Sequence, residues 1–248
     1  MLHLHFNPET DISKVLAPEA LKMFQYEWGI YHKLVRSNEM QHREIGTLIR
    51  TEIDLRFDRP FSFLDLACGD SSLAHKILAG TKINRYEGLD LSRPALECAA
   101  EVMKDAPYEV TLGEEDMVSG VKERPEGADV IWCGFSIHHL QKEQKQEMLG
   151  AVRSALKPGG IFVTAEPVCR SGESRDHYVK RWHDELRQRF QSLSQDEFDH
   201  IWQHISTHDF AEPPEDWVEM GVKAGFSSSR LIYAFPGDFF CGAFLFEI

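Results

Sequence analysis

The sequence lacks any dense run of basic residues, and its 248 residues carry a formal net charge of −13. Proteins that bind nucleic acids normally present a basic face to the phosphate backbone, so this balance argues against a nucleic-acid partner. The sequence also lacks an apolar run approaching the roughly 20 residues that a membrane span needs. We therefore expect neither a nucleic-acid nor a membrane partner.

Cysteine is scarce as well, and its five occurrences form no CxxC pair. An odd number of scattered cysteines argues against a disulfide framework and is typical of reduced thiols inside the cell. The first ten residues, MLHLHFNPET, lack the basic flank and apolar core of a signal peptide. Together these features predict a cytoplasmic protein.

The most informative stretch runs from Phe63 to Leu78. Its apolar residues surround a single acid and predict a buried strand from Phe63 to Cys68, followed by a turn at Gly69 and Asp70. Ser71 or Ser72 can then cap a helix. Backbone N–H groups converge in such a corner at the carboxyl end of a parallel sheet, which suits a ligand with polar or anionic groups.

A second acid, Asp90, ends the next predicted strand, which begins at Tyr86. It lies 21 residues beyond Gly69, at the tip of the neighbouring strand. A carboxylate there is placed to accept hydrogen bonds from the two hydroxyls of a ribose. The alternative for Asp90 alone is an ordinary turn aspartate.

Strand and helix patterns alternate five times, which predicts a parallel sheet covered by helices on both faces. The last two strand patterns, on either side of the turn 236–238, predict an antiparallel hairpin. The predicted strands are Phe63–Cys68, Tyr86–Asp90, Tyr108–Leu112, Ala128–Cys133, Ile161–Ala165, Arg230–Phe235 and Phe239–Phe246.

Two helical segments stand outside this alternation, although we expect one domain over residues 1–248. Residues 1–60 predict an N-terminal helical cap, and residues 169–214 predict a helical lid inserted after the fifth strand. Both are rich in aromatic residues, which suits a small-molecule pocket. We expect a small-molecule ligand to lie between residues 20–35 and 175–210. The alternative is that these helices only cover the sheet and form an oligomer contact, and a homodimer is a further expectation.

From about Phe61 to Ile248 the sequence resembles the class I S-adenosylmethionine-dependent methyltransferases. The motifs that carry the resemblance are Asp65–Ser71, Gly88–Ser92, Ile137–Leu140, Leu156–Gly160 and the terminal hairpin. Ala67 and Ser71 replace the first and third glycines of the family's GxGxG loop, while Gly69 is kept. The resemblance implies a Rossmann-like α/β fold with a doubly wound, seven-stranded, mostly parallel sheet and an antiparallel C-terminal hairpin.

The resemblance also implies which residues hold the cofactor, S-adenosylmethionine. The loop would contact its methionine part, Asp65 the amino group and Asp90 the ribose. Asp116 would accept a hydrogen bond from the adenine amine. Glu115, one residue earlier, is the alternative acceptor. The full set of expected cofactor-binding residues is Asp65, Ala67, Cys68, Gly69, Asp70, Ser71, Asp90, Leu91, Glu115, Asp116, Met117, Cys133, Gly134 and Phe135.

Methyl transfer from a sulfonium is an in-line displacement, so the protein must chiefly align the reactants and exclude water. A base is needed only if the acceptor loses a proton. The candidates are His138 and His139 beyond the fourth strand, one of which could instead be a helix-entry residue, and Glu166 beyond the fifth. Tyr31 could meet the sulfonium with its ring face. The acid triad of metal-dependent relatives is not evident, so we predict metal independence.

The resemblance thus predicts a metal-independent methyltransferase that acts on an O or N atom of a small molecule. Two alternatives stay open. The chain could use S-adenosylmethionine for non-methylating chemistry, as a cyclase or a cofactor-modifying enzyme, or it could be a non-catalytic binding subunit. A dinucleotide dehydrogenase is the nearest competitor. A dehydrogenase would need glycines at the first and third loop positions. The helix-terminating sequence Lys157–Gly160 and the antiparallel C-terminal hairpin also disfavour it.

Overall fold

A computed structural model describes residues 2–5, 29–236 and 240–248 of the chain. These residues fall into two compact units. The first unit contains Glu44–Ser171 and Phe210–Ile248 together with the N-terminal strand, and the described part of the second contains residues 29–43 and 172–209. Within the described ranges, none of the helices has the length and apolar character needed to cross a membrane.

The first unit is built on a sheet that contains eight strands among the described residues, in the order β1-β4-β3-β2-β5-β6-β8-β7. Strand β8 runs antiparallel to both of its neighbours, β6 and β7, while the other pairs are parallel. The strands are β1 Leu2–His5, β2 Phe61–Leu66, β3 Ile83–Asp90, β4 Glu109–Glu114, β5 Ala128–Gly134, β6 Leu156–Pro167, β7 Ser228–Ala234 and β8 Cys241–Glu247.

The helices follow the strands as in a doubly wound fold, and residues 29–36 form the helix α1 of the second unit. The other helices are α2 His42–Arg56, α3 Ser72–Leu78, α4 Arg93–Met103, α5 Met117–Lys122, α6 Lys142–Ala155, α7 Arg175–Arg189, α8 Gln195–His208 and α9 Pro214–Ala224. Local chemistry explains several boundaries. Ser92 caps α4 with Pro94 in the first turn, and Gly225 ends α9 in a left-handed conformation.

The core of the first unit lies on both faces of the central strands. Every residue of β2 is buried, and β5 is buried up to its last residue, because helices cover the two sheet faces. One large apolar cluster joins β5, β6 and β8 to α6 and α9, and Trp217 packs against Phe244 at its centre. This packing fixes the central strands, and with them the loops at their carboxyl ends.

The predicted α/β fold and its antiparallel finish are confirmed, but the prediction of seven strands was one short. The additional strand, β1, pairs in parallel with β4 at the edge of the sheet. It lies in the part of the chain expected to contain only helices. The hairpin strands β7 and β8 pair as predicted, whereas residues 237–239 of the expected turn lie outside the described residues.

The second unit contains α1, α7 and α8. Ser194 and Glu197 form a capping box at the start of α8, and Glu197 also pairs with Lys33 of α1. Ser192 donates to Glu39 through its backbone N–H and its hydroxyl, at 2.9 and 2.8 Å. Tyr178 belongs to the buried face of α7, whereas Val179 is only half-buried. Three of the aromatic residues in the predicted N-terminal cap, Phe24, Tyr26 and Trp28, lie outside the described residues.

Candidate functional site

The loop after β2 has a left-handed backbone at every second residue. Ala67, Gly69 and Ser71 have φ values of 53°, 54° and 57°. The N–H groups of Cys68, Gly69 and Ser71 donate to the Leu89 carbonyl, the Asp90 carboxylate and the Cys68 carbonyl, so hydrogen bonds within the protein hold the loop in this shape. Only glycine adopts this conformation without strain, so Ala67 and Ser71 each cost about 1 kcal/mol. The chain keeps the shape of a glycine-rich loop although two of its glycines are replaced.

Asp90, at the end of β3, connects this loop to the next strand. Its Oδ2 accepts the backbone N–H of Gly69 at 2.8 Å, and its Oδ1 accepts that of Ser92 at 2.7 Å. Burial raises the pKa of Asp90, against the hydrogen bonds from Ser92 and Gly69, which lower it. A carboxylate has about four lone-pair sites, so Asp90 retains capacity for a further donor.

Asp65, at the end of β2, is almost completely buried. Its Oδ2 lies 2.8 Å from the hydroxyl of Tyr86. Burial raises the pKa of Asp65 to about 8, because desolvation outweighs the Tyr86 hydrogen bond and the nearby Asp90 and Asp70 add repulsion. The carboxyl group is therefore mostly protonated at pH 7, and a cation placed against it would favour ionisation.

The three residues expected near adenine occupy different local settings after β4. Glu115 forms two bonds of 2.9 Å with the guanidinium of Arg124. Asp116 caps α5 by accepting the N–H groups of Val118 and Ser119 at 3.0 and 2.9 Å. Met117 is half-buried against the apolar core. Leu91, on the neighbouring β3 turn, is 69% exposed and so offers an apolar surface.

The third group of predicted cofactor residues, Cys133, Gly134 and Phe135, lies at the carboxyl end of β5. Cys133 is fully buried, and Phe135 has a left-handed backbone with φ of 53° and donates its N–H to Ala165 at 2.8 Å. A Cβ atom on Gly134 would lie 2.3 Å from the ring of Trp132. Glycine is therefore required here by space.

Glu166 is fully buried at the end of β6 and organises the short 3₁₀ turn Ile137–His139. Its carboxylate accepts the backbone N–H groups of Ser136, Ile137 and His138 at 3.3, 3.0 and 3.2 Å. It also accepts the Thr164 hydroxyl at 3.1 Å and faces Nδ1 of His138 at 2.7 Å. This contact assigns the ring proton of His138 to Nδ1 and makes Nε2 the basic nitrogen.

The structure therefore links several predicted site residues by direct bonds at the carboxyl edge of the sheet. Asp90 is bonded to the loop, and Glu166 is bonded to His138, whose ring lies 4.1 Å from that of the exposed His139. Tyr31 belongs to the second unit, where its hydroxyl lies 3.2 Å from Nε2 of His42.

The sequence interpretation missed Tyr86, which contacts Asp65 and Ser71. It also missed Arg124, the partner of Glu115. A tyrosine in a strand carries no motif, so no sequence signal pointed to it. The pairing of Arg124 with Glu115, at a separation of nine residues, is equally invisible before the loop is folded.

Comparison with known proteins finds a match for the segment that contains most of this site. Residues 64–162 match a family model described as a methyltransferase domain. The malonyl-[acyl-carrier protein] O-methyltransferase of Halalkalibacterium halodurans is 29% identical over 127 residues, which cover 50% of this chain and 45% of that protein. The carboxy-S-adenosyl-L-methionine synthase of Citrifermentans bemidjiense is 26% identical over 106 residues, 43% of each protein. The chain thus spans less than half the length of these curated relatives.

Similar folds occur among solved structures. The plantazolicin methyltransferase BpumL in complex with SAH superposes with a TM-score of 0.62 at 13% identity, over 93% of this chain and 90% of that one. A sarcosine dimethylglycine methyltransferase-like protein from Galdieria sulphuraria superposes with a TM-score of 0.60 at 13% identity, over 82% and 85%. At these identities the likeness concerns the fold.

Proposed function

We propose that the chain is a class I S-adenosylmethionine-dependent methyltransferase and that it methylates an O or N atom of a small-molecule acceptor. The proposed methyl donor is S-adenosylmethionine. The observation that carries the proposal is the left-handed loop from Ala67 to Ser71, bonded at Gly69 to the carboxylate of Asp90.

The residues of the site fit this cofactor. The loop stands next to Asp90, which keeps a lone pair for a ribose hydroxyl. After β4, Asp116 offers a carboxylate, and after β3 the exposed Leu91 offers an apolar surface. Asp65 supplies an acid that a positively charged group would ionise. When bound, S-adenosylmethionine supplies a methyl group activated by the positive charge on sulfur.

We propose His138 as the group that accepts a proton from the acceptor, when the acceptor has one to lose. Its Nδ1 proton is directed at Glu166, which leaves Nε2 as the base. Glu166 accepts bonds from the backbone N–H groups of three successive residues and is therefore assigned to positioning. His139 is the second candidate base because it is exposed beside His138.

A small-molecule acceptor is supported by several observations. The formal net charge of −13 disfavours a polyanionic substrate. One structural neighbour is named as a methyltransferase for plantazolicin. The second unit contains an open pocket of about 150 Å³ lined by Ile30, His200, Ile201 and His204, which suits a small organic group.

The direct test of the cofactor assignment is the variant Asp90→Ala. It removes the acceptor proposed for two ribose hydroxyls, so the affinity for S-adenosylhomocysteine should fall by on the order of 2–4 kcal/mol, measured by calorimetry. Asp105→Ala, at an exposed position after α4, is the control and should bind as the wild type does. An unchanged affinity in Asp90→Ala would refute the assignment.

Product analysis separates methyl transfer from the alternatives. Turnover that yields S-adenosylhomocysteine supports the proposal. A modified S-adenosylmethionine would instead favour cofactor chemistry of the type named in the carboxy-S-adenosyl-L-methionine synthase relative. Binding without any turnover would favour a non-catalytic subunit.

Metal independence stays a prediction. The activity should survive exhaustive chelation of metal ions, and a loss of activity that Mg²⁺ restores would contradict the prediction.

A further inference from the structure

A hydroxyl group lies behind the loop, on the side away from solvent. Tyr86 of β3 is completely buried, and its ring stacks on Phe63 of β2 with the two planes 14° apart. Its oxygen lies 2.8 Å from Oδ2 of Asp65 and 2.8 Å from Oγ of Ser71. One phenol thus contacts the acid that ends β2 and the last left-handed residue of the loop.

Space around this hydroxyl is limited on the remaining side. A Cβ atom added to Gly88 would lie 2.9 Å from the Tyr86 oxygen and 3.0 Å from Sγ of Cys68. The Tyr86 hydroxyl and the Cys68 thiol therefore fill the volume that the absent side chain of Gly88 leaves. The loop residue Cys68 therefore lies near the Tyr86 hydroxyl, which also contacts Asp65 and Ser71.

Ser71 shows why the contact matters. Its φ of 57° is strained for a residue with a Cβ, and its side chain makes no capping bond to α3 although it occupies the N-cap position. Its hydroxyl is directed to Tyr86 instead. That bond keeps the serine in a conformation that glycine would adopt without help.

We propose that Tyr86 is a positioning residue for the cofactor loop, because its hydroxyl joins the acid Asp65 to the strained Ser71. The proposal rests on the proposed function, since it concerns the same binding loop. The phenol has a single proton, so it donates to one partner and accepts from the other. When Asp65 is ionised, the Tyr86 proton is directed to its carboxylate and the Ser71 hydroxyl donates to Tyr86.

The test is Tyr86→Phe, which keeps the ring stacked on Phe63 and removes only the hydroxyl. Affinity for S-adenosylhomocysteine, measured by calorimetry, should fall about tenfold, the size of one lost bond to a charged group. The midpoint of its pH dependence should move upward, because the phenol favours ionised Asp65. The control is Tyr108→Phe, whose hydroxyl contacts only the sulfur of Met103 at 3.8 Å among the described contacts, and it should bind as the wild type does.

Ser71→Ala gives a second and independent reading. It should weaken binding about tenfold in the wild type and have no further effect in Tyr86→Phe, because both changes remove the same bond. If Tyr86→Phe does not fold, Ser71→Ala alone decides. Variants that bind as the wild type does would overturn the role of Tyr86 and leave the proposed function intact. A wild type that binds no S-adenosylhomocysteine would overturn both.

Discussion

Asp65 and Asp129 lie at opposite ends of the adjacent strands β2 and β5, and both are almost completely buried, at 3% and 2% exposed. Asp129 faces two cations, with Lys157 Nζ and Arg59 Nη2 each 2.9 Å from its carboxylate. It also accepts the backbone N–H and the hydroxyl of Ser62, at 2.9 and 2.8 Å. Asp65 has the Tyr86 hydroxyl as its one hydrogen-bond donor among the described contacts.

Because of these different partners, the pKa values of the two carboxyl groups are shifted in opposite directions. Burial alone would raise the pKa of Asp129, but the bonds from Ser62, Lys157 and Arg59 lower it to about 2. Burial raises the pKa of Asp65 to about 8. The acid at the amino end of its strand, Asp129, therefore stabilises the fold as an ion. The acid at the carboxyl end, Asp65, has no ion pair with a cation among the residues that the structure describes. Such an unpaired buried acid is typical of a binding site.

The largest expected effect is on stability in Asp65→Asn. A raised pKa means that the stability contributed by the protonated carboxyl is complete below about pH 4 and is lost as the pH rises through about 8. Asparagine does not titrate, so the ligand-free variant should be more stable by on the order of 3 kcal/mol at pH 8, and by less at pH 5. Urea unfolding at both pH values measures this. Equal destabilisation at both would contradict the account.

Asp129→Asn should act in the opposite sense. A lowered pKa means that the stability contributed by the ionised carboxylate is present above about pH 4 and is lost as the pH falls through about 2. The free energy of unfolding of the variant should be about 2 kcal/mol lower than that of the wild type at pH 7, and this difference should be smaller at pH 3. Exposed Asp58→Asn serves as the control for both aspartates and should change stability little.

The smallest effect concerns the backbone of the loop beside Asp65. Ala67→Gly should stabilise the ligand-free protein by roughly 0.5–1 kcal/mol, because glycine removes the strain of a φ of 53° at some cost in chain entropy. The matched change Ala100→Gly, inside α4, should destabilise by about 1 kcal/mol. Thermal unfolding compares the two. Equal losses would show that Ala67 is unstrained.

Most of the fold could be predicted from the sequence, because alternating strand and helix patterns admit few arrangements. The edge strand Leu2–His5 could not be predicted with confidence from four residues. Its Leu-His-Leu-His alternation is a valid period-two signal, but it covers only two repeats before a helical pattern. Strand β1 exists because β4 offers it an edge, and that partner is distant in the sequence.

The candidate site was predictable in its positions and less so in its roles. Asp90 and Glu166 stand at strand ends, where ligands of open α/β sheets bind. The three backbone donors that surround Glu166 are visible only once the turn after β5 is folded. The left-handed conformations of Ala67 and Ser71 are likewise set by the loop, since neither residue type favours them.

The most direct test of the difference in pKa between Asp65 and Asp129 is a carbon-13 NMR titration of the aspartate carboxyl groups in the ligand-free protein. Asp65→Asn and Asp129→Asn assign the two signals. The account predicts that Asp65 titrates near pH 8 and that Asp129 remains ionised until the pH approaches 2. Titration of Asp65 near the ordinary aspartate value of about 4 would contradict it.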